Sequence, residues 1–205
     1  MERKERAKQM RNKNKTLDLQ TLVVCSICTA TTCVLATITI PMQPVPITMA
    51  TVGPCIAGGK LGPIKGGLTQ LLYLLLVLVG FPFTSSFKAG AAVFFGPTGG
   101  YLFGYVLMAA VTGFLYRWLN ARKNTLTSAN KFWNLVIAGV IGEIPLYIVG
   151  LSFFMMVTGY DLQKAIMVCV VPFLIGDFIK IILSAFVVVK TDKHLQSNNP
   201  FSVSQ

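Results

Sequence analysis

Val170-Val171-Pro172-Phe173-Leu174-Ile175-Gly176-Asp177-Phe178-Ile179-Lys180-Ile181-Ile182-Leu183 is the centre of an apolar run, about Leu162 to Val189, long enough to cross a membrane. Two full charges sit inside the quoted stretch. Asp177 and Lys180 are three residues apart, so a helix puts them on one face about one turn apart. A charge at bilayer depth costs at least about 2.5–3.5 kcal/mol and persists where it faces other helices or a wet cavity and has a partner. Two readings follow. The pair is self-satisfied and locks helix packing, or it is a buried site offering one carboxylate and one ammonium to a polar small molecule. The second makes the remaining helices the walls of that site.

The rest of the chain agrees with a membrane setting. Of 205 residues, 54% are hydrophobic and only 12% are charged, against about 25% charged in a soluble domain. The apolar residues fall in long blocks, as in a polytopic membrane protein of one domain. The net charge of +11 is not a nucleic-acid signature: the basic residues cluster at block ends, and nucleic-acid-binding patterns are absent. Cys25-x-x-Cys28 has the spacing of a redox or metal motif, but it lies in an apolar helix with no second such pair and no nearby histidine. Packing is the reading adopted. The single histidine, His194, lies beyond the last apolar block, so no metal site is expected.

Residues 1–18 are basic and polar, and read as a tail on the cytoplasmic side rather than a cleaved signal, because the apolar run that follows is too long for one. The expected membrane domain covers 19–190, and 191–205 form a second polar tail. Six spans are expected: about 19–40, 47–59, 68–80, 100–119, 132–158 and 162–189. Small residues on the first span, Ser26, Ala30 and Cys33, fall at a spacing that lets another helix approach closely. That helix belongs either to this chain or to a partner subunit. Pro41, Pro44 and Pro46 make a stiff loop after it. Gly58–Gly67, with Lys60 and Lys65, superficially resembles a phosphate loop. Pro54 replaces its first glycine and Leu61 its Ser or Thr, so nucleotide binding is rejected there. Phe81–Ala92, rich in hydroxyls and aromatics and carrying Lys88, reads as an irregular segment over a cavity. Pro172 is expected to kink or break the last span. Glu143 lies in the fifth span; it is either near the cytoplasmic end, within reach of water, or paired inside, and the first is the reading adopted.

Six spans put both termini on one side. With that side cytoplasmic, the four cytoplasmic segments carry net +4, +2, +4 and +1, against +1 in total for the three opposite loops. This follows the positive-inside rule. The proline loop, the Phe81–Gly90 segment and the Gly159 turn then share the outer face.

Taken in order, several segments resemble the BioY family, the biotin-specific substrate-binding subunits of energy-coupling factor (ECF) transporters. They are Pro44-Val45-Pro46-Ile47-Thr48, the Ala57-Gly58 to Leu61-Gly62-Pro63 turn, Leu72-Tyr73-Leu74-Leu75, Gly80-Phe81-Pro82, Gly96-Pro97-Thr98-Gly99-Gly100-Tyr101-Leu102, Tyr147 before Gly150, and Pro172-Phe173 with Gly176-Asp177 and Lys180. The resemblance covers about residues 20 to 190. It implies an all-α integral membrane protein with the six-helix ECF substrate-binding fold, in a bacterial cytoplasmic membrane. It also implies a biotin pocket near the outer face, capped by the first and third loops. Asp177 and Lys180 become polar contacts to biotin. Lys88 stands at a usually basic position, and Tyr147, Thr84, Ser85 and Pro46 become wall residues. The chemistry suits such a ligand: an aspartate accepts from ureido N–H groups, and a lysine answers a carbonyl or carboxylate. The chain departs from the family pattern at Ala50, usually Gln, at Thr84-Ser85-Ser86-Phe87, usually glycine-rich, and at Glu143, usually apolar.

The chain has no ATP-binding motif. The resemblance implies a coupling membrane subunit and two ATPases as partners, docking through the Ser26, Ala30 and Cys33 face, and inward release by reorientation in the lipid. No cofactor and no catalytic residue are implied. The rivals are a substrate-binding subunit for another vitamin or a biotin precursor, and an intramembrane enzyme using Asp177 and Glu143 as acid and base.

Overall fold

The computed structural model describes residues 2–122 and 127–197. Seven helices account for nearly all of it: α1 (Glu2–Thr37), α2 (Val52–Val79), α3 (Ala91–Phe95), α4 (Gly99–Ala121), α5 (Ser128–Thr158), α6 (Leu162–Cys169) and α7 (Val171–Ser197). Four of them, α2, α4, α5 and α7, are long and apolar enough to cross a membrane. The apolar part of α1, residues 21–37, is shorter. The chain is therefore an all-helical membrane protein whose lipid-facing surface is studded with exposed Leu, Ile, Val and Phe. Residues 198–205 of the expected C-terminal tail lie outside the described residues.

The two expected spans 47–59 and 68–80 are both drawn into α2, and the reason is local. Gly62 interrupts its helical geometry at φ 79°, ψ −171° and is followed by Pro63. A left-handed glycine ends one helical arm, and a proline that needs no donor starts the next. The two arms, 52–61 and 63–79, fold back on each other. A Cβ built on Gly66 would sit 3.0 Å from the Ala57 carbonyl oxygen. The orphaned carbonyl of Leu61 accepts from Arg117 Nη2 of α4 at 2.7 Å.

This folded-back α2 packs against α1, α4 and α7, and α4 packs in turn on α5. The contacts with α4 are backbone to backbone. A Cβ at Gly58 would lie 2.5 Å from the Ala109 oxygen, and one at Gly113 would lie 2.5 Å from the Gly62 carbonyl carbon. On α1, Cys28, Thr29, Thr32, Cys33 and Ala36 are buried, and the Thr29 hydroxyl donates to the Thr69 oxygen at 3.2 Å. Cys28 packs with Ala57 and Leu61, which suits the packing reading of the Cys25–Cys28 motif.

The proline loop is more ordered than a stiff coil. Thr39–Ile40 (β1) pairs antiparallel with Ile47–Thr48 (β2), so the prolines form the tip of a short hairpin. The last expected span is two helices, broken at Val170. Pro172 lacks an N–H and disfavours helix before it, and the Phe173 and Leu174 amides both reach the Val170 oxygen.

Gly58→Ala forces a methyl into backbone and is expected to destabilise the fold by about 1–3 kcal/mol. Gly176→Ala, with nothing within 4 Å of the added Cβ, is expected to hold or gain up to about 1 kcal/mol of helix propensity. Thermal melting of the detergent-solubilised protein compares the two.

Candidate functional site

The first arm of α2, Val52 to Leu61, is only 10 residues long, about 15 Å of helix and half a hydrocarbon core. Above its N-terminus the chain is extended, and a cavity partly open to solvent occupies the room left over. The hairpin contributes Val45, Pro46 and Thr48; the entry to α2 contributes Ala50 and Thr51; the loop after α2 contributes Thr84 and Ser85. Tyr73, Tyr101, Tyr105, Tyr147 and Phe173 give it aromatic walls.

Asp177 and Lys180 form one side of this cavity, 3% and 5% exposed. Lys180 Nζ donates to Asp177 Oδ1 at 2.7 Å, and the Tyr147 hydroxyl donates to Asp177 Oδ2. The two readings of the pair are thus joined: it is an ion pair, and it adjoins a void. A carboxylate has about four acceptor positions and an ammonium three donors. The two recorded bonds leave about two acceptor positions and two N–H donors. Such a surface complements a ligand that carries N–H donors and a carbonyl side by side. Thr51 Oγ1, also in the lining, is buried with no hydrogen-bond partner among the described residues. A ligand polar group or a water satisfies it at once.

The loop over the cavity is tied down by its own polar groups. The Tyr73 hydroxyl donates to the Phe83 oxygen at 2.9 Å, and the Thr84 hydroxyl to the Lys88 oxygen at 2.5 Å. The Gly90 amide donates to the Val77 oxygen at 2.8 Å. Between these ties lies a single 3-10 turn, Ser85–Phe87, in which Ser86 and Phe87 have φ of 60° and 56°. The left-handed region costs a non-glycine residue about 1–2 kcal/mol.

The structure gathers Asp177, Lys180, Tyr147, Thr84, Ser85 and Pro46 around one cavity. Lys88 lies apart from them, exposed and outside the lining, with its backbone oxygen accepting from the Thr84 hydroxyl. Two expectations need correction. Cys33 points inward, packed among Ala36, Ala50 and Tyr73, so only Ser26 and Ala30 remain on the outer face of α1. Glu143 does not reach water; it is 7% exposed, covered on the inward face of α5. The sequence reading also passed over Tyr73, Tyr101 and Tyr105 as wall residues. Their signal was available: a tyrosine inside an apolar span carries a hydroxyl that must find a partner, and Tyr101 and Tyr105 are one helical turn apart. Among the described residues no group of His, Cys, Asp and Glu is arranged to hold a metal.

Comparison with known proteins decides the family. The BioY family model matches residues 8–197. The chain belongs to the BioY family. It is 36% identical over 178 residues to the biotin transporter BioY of Thermotoga maritima, covering 85% of this chain and 97% of that protein. It is 36% identical over 143 residues to the biotin transporter BioY of Rhizobium etli, covering 69% of this chain and 75% of that one. Its fold superposes on a crystal structure of the S-component for biotin from an ECF-type ABC transporter with a TM-score of 0.75 at 28% identity. That match covers 87% of this chain and 93% of the other. The expected all-helical membrane fold thus agrees with the solved S-component, while the structure has seven helices among the described residues, four of them long and apolar enough to span.

Ser86→Gly removes left-handed strain, while Ser85→Gly only adds unfolded-chain entropy of about 0.5–1 kcal/mol. In ligand-free melts of the detergent-solubilised protein, the first is expected to hold or raise the midpoint and the second to lower it.

Proposed function

We propose that this chain captures biotin as the substrate-binding S-component of an ECF transporter, with Asp177 and Lys180 as its polar anchors. The observation that carries the reading is a buried ion pair with spare donors and acceptors on the wall of a cavity, in a chain of the BioY family. Its relatives are biotin transporters, and its structural neighbour is an S-component for biotin. The chain is accordingly a transporter subunit and not an enzyme, and the acid–base reading of Asp177 with Glu143 is set aside. No cofactor is required; biotin is cargo.

In this proposal Tyr147 holds Asp177 in place, and Thr84, Ser85 and Pro46 close over the ligand. The tyrosine rings cover its apolar thioether ring and tail. The two arms of α2 count as two crossings and α6 with α7 as one, which gives six crossings with both termini cytoplasmic. The lysine-bearing side around Lys60 and Lys65 then faces the cytoplasm, supported by the charge distribution. The energising partners are a coupling membrane subunit and two ATPases, and Ser26 and Ala30 mark the docking face of α1 for the former.

Calorimetric titration of the detergent-solubilised chain with biotin is the direct test. Saturable one-site binding is expected. Asp177→Asn and Lys180→Ala each break a buried charge pair and are expected to cost about 2–5 kcal/mol, thirtyfold or more in affinity. Tyr147→Phe removes one charge-assisted hydrogen bond, about 1.5–3 kcal/mol. Wild-type affinity in the Asp177 and Lys180 variants would refute the assignment of the site.

A further inference from the structure

Helices α5 and α7 run antiparallel along a shared seam that is pinned at two heights. At one, the Tyr147 hydroxyl meets Asp177. At the other, Gly139 brings the α5 backbone so close to α7 that an added Cβ would lie 2.8 Å from Ile181 Cγ2 and 3.3 Å from Cys55 Sγ. Glu143 is four residues beyond Gly139 and four before Tyr147. It therefore lies on the same face midway between the two pins, at the level of the α7 turn that carries Lys180. The side chain is buried, and its Oε1 has no hydrogen-bond partner among the described residues. It does not line the cavity, and nothing in the proposed binding mode uses it.

An isolated Asp177–Lys180 pair would be a poor receptor. A ligand N–H that takes over the carboxylate competes with the ammonium, and an ammonium displaced in an apolar interior without a new partner is heavily penalised. A second acidic group on the facing helix removes that obstacle. We propose that Glu143 is a positioning residue that acts through Lys180: it offers the ammonium a second acidic partner, so that Asp177 can turn its acceptor positions to a ligand's N–H donors. The inference rests on the biotin-binding reading for its ligand. The link between Glu143 and Lys180 is a property of the empty protein as well.

The test combines biotin calorimetry with melting of the ligand-free, detergent-solubilised chain. Glu143→Gln keeps the shape and removes the acid; Glu143→Asp keeps the acid. Glu143→Gln is expected to weaken biotin binding about tenfold or more, and Glu143→Asp to stay within about threefold of wild type. A side chain that serves only to fill space would show the opposite order, since glutamine is the closer match in shape. In the melts, the midpoint shift caused by Glu143→Gln is expected to differ between the wild-type chain and a D177N/K180M chain, which lacks the ion pair. Equal biotin affinity for wild type and Glu143→Gln overturns the proposal, and so does an identical melting shift in the two backgrounds. A chain that shows the melting coupling but does not bind biotin upholds the Glu143–Lys180 link and refutes the ligand reading instead.

Discussion

Taking a carboxylate and an ammonium out of water costs several kcal/mol each, and their attraction offsets this only when the geometry is good and the leftover lone pairs and protons find partners. That demand explains the placement of several elements around Asp177 and Lys180. The break at Val170 separates α6 from α7, and α7 presents both charges inward on consecutive turns. Tyr147 comes from α5 to take the second carboxylate oxygen. Ser184, one turn on, donates to the Lys180 backbone oxygen at 2.7 Å, so that the hydroxyl is satisfied within the helix and does not compete for the charges. Asp177 and Lys180 themselves border the cavity, where their remaining acceptor positions and N–H donors can meet a ligand.

The cavity itself is a consequence of backbone length. One arm of α2 is too short to fill the depth of the bundle, and the chain above it runs as a hairpin rather than a helix. Glycine contacts between α2 and α4 hold the layer beneath at backbone distance. Space is therefore absent at one end of the bundle and present at the other. Tyrosines suit the boundary between the two, because the ring packs as an apolar wall while the hydroxyl reaches a carbonyl or a carboxylate. Tyr73 and Tyr147 both do this, one tying down the covering loop and the other the charge pair.

How much of this could be read in the sequence depended on the range of the signal. Charges inside an apolar run are visible without a fold, and Asp177, Lys180 and the apolar blocks were found that way. Gly-Pro at 62–63 and the prolines at 41–46 marked turns, since both act through their own dihedral angles. What failed was orientation. Whether Cys33 faces a neighbour in the same chain or one outside it depends on where Tyr73 and Ala50 arrive from, tens of residues away. Lys88 stood out through the family resemblance, which carries no information on exposure, and the side chain is exposed outside the lining. Glu143 was placed by sequence distance from a helix end, and packing of α5 on α7 overrode it. The hairpin β1–β2 was missed because two residues per strand are too few for any alternation to show.

The contact of α2 with α4 at Gly58, Gly62 and Gly113 limits how the molecule can deform. Where backbone atoms already touch, helices have no slack for sliding, and a packed interface of this kind has few alternative arrangements nearby. Compliance is left to the thin parts: the two-stranded hairpin and the left-handed turn at Ser86 and Phe87. Among the described residues, movement that opens the cavity is therefore expected at the loop end, while the glycine-packed end stays as it is.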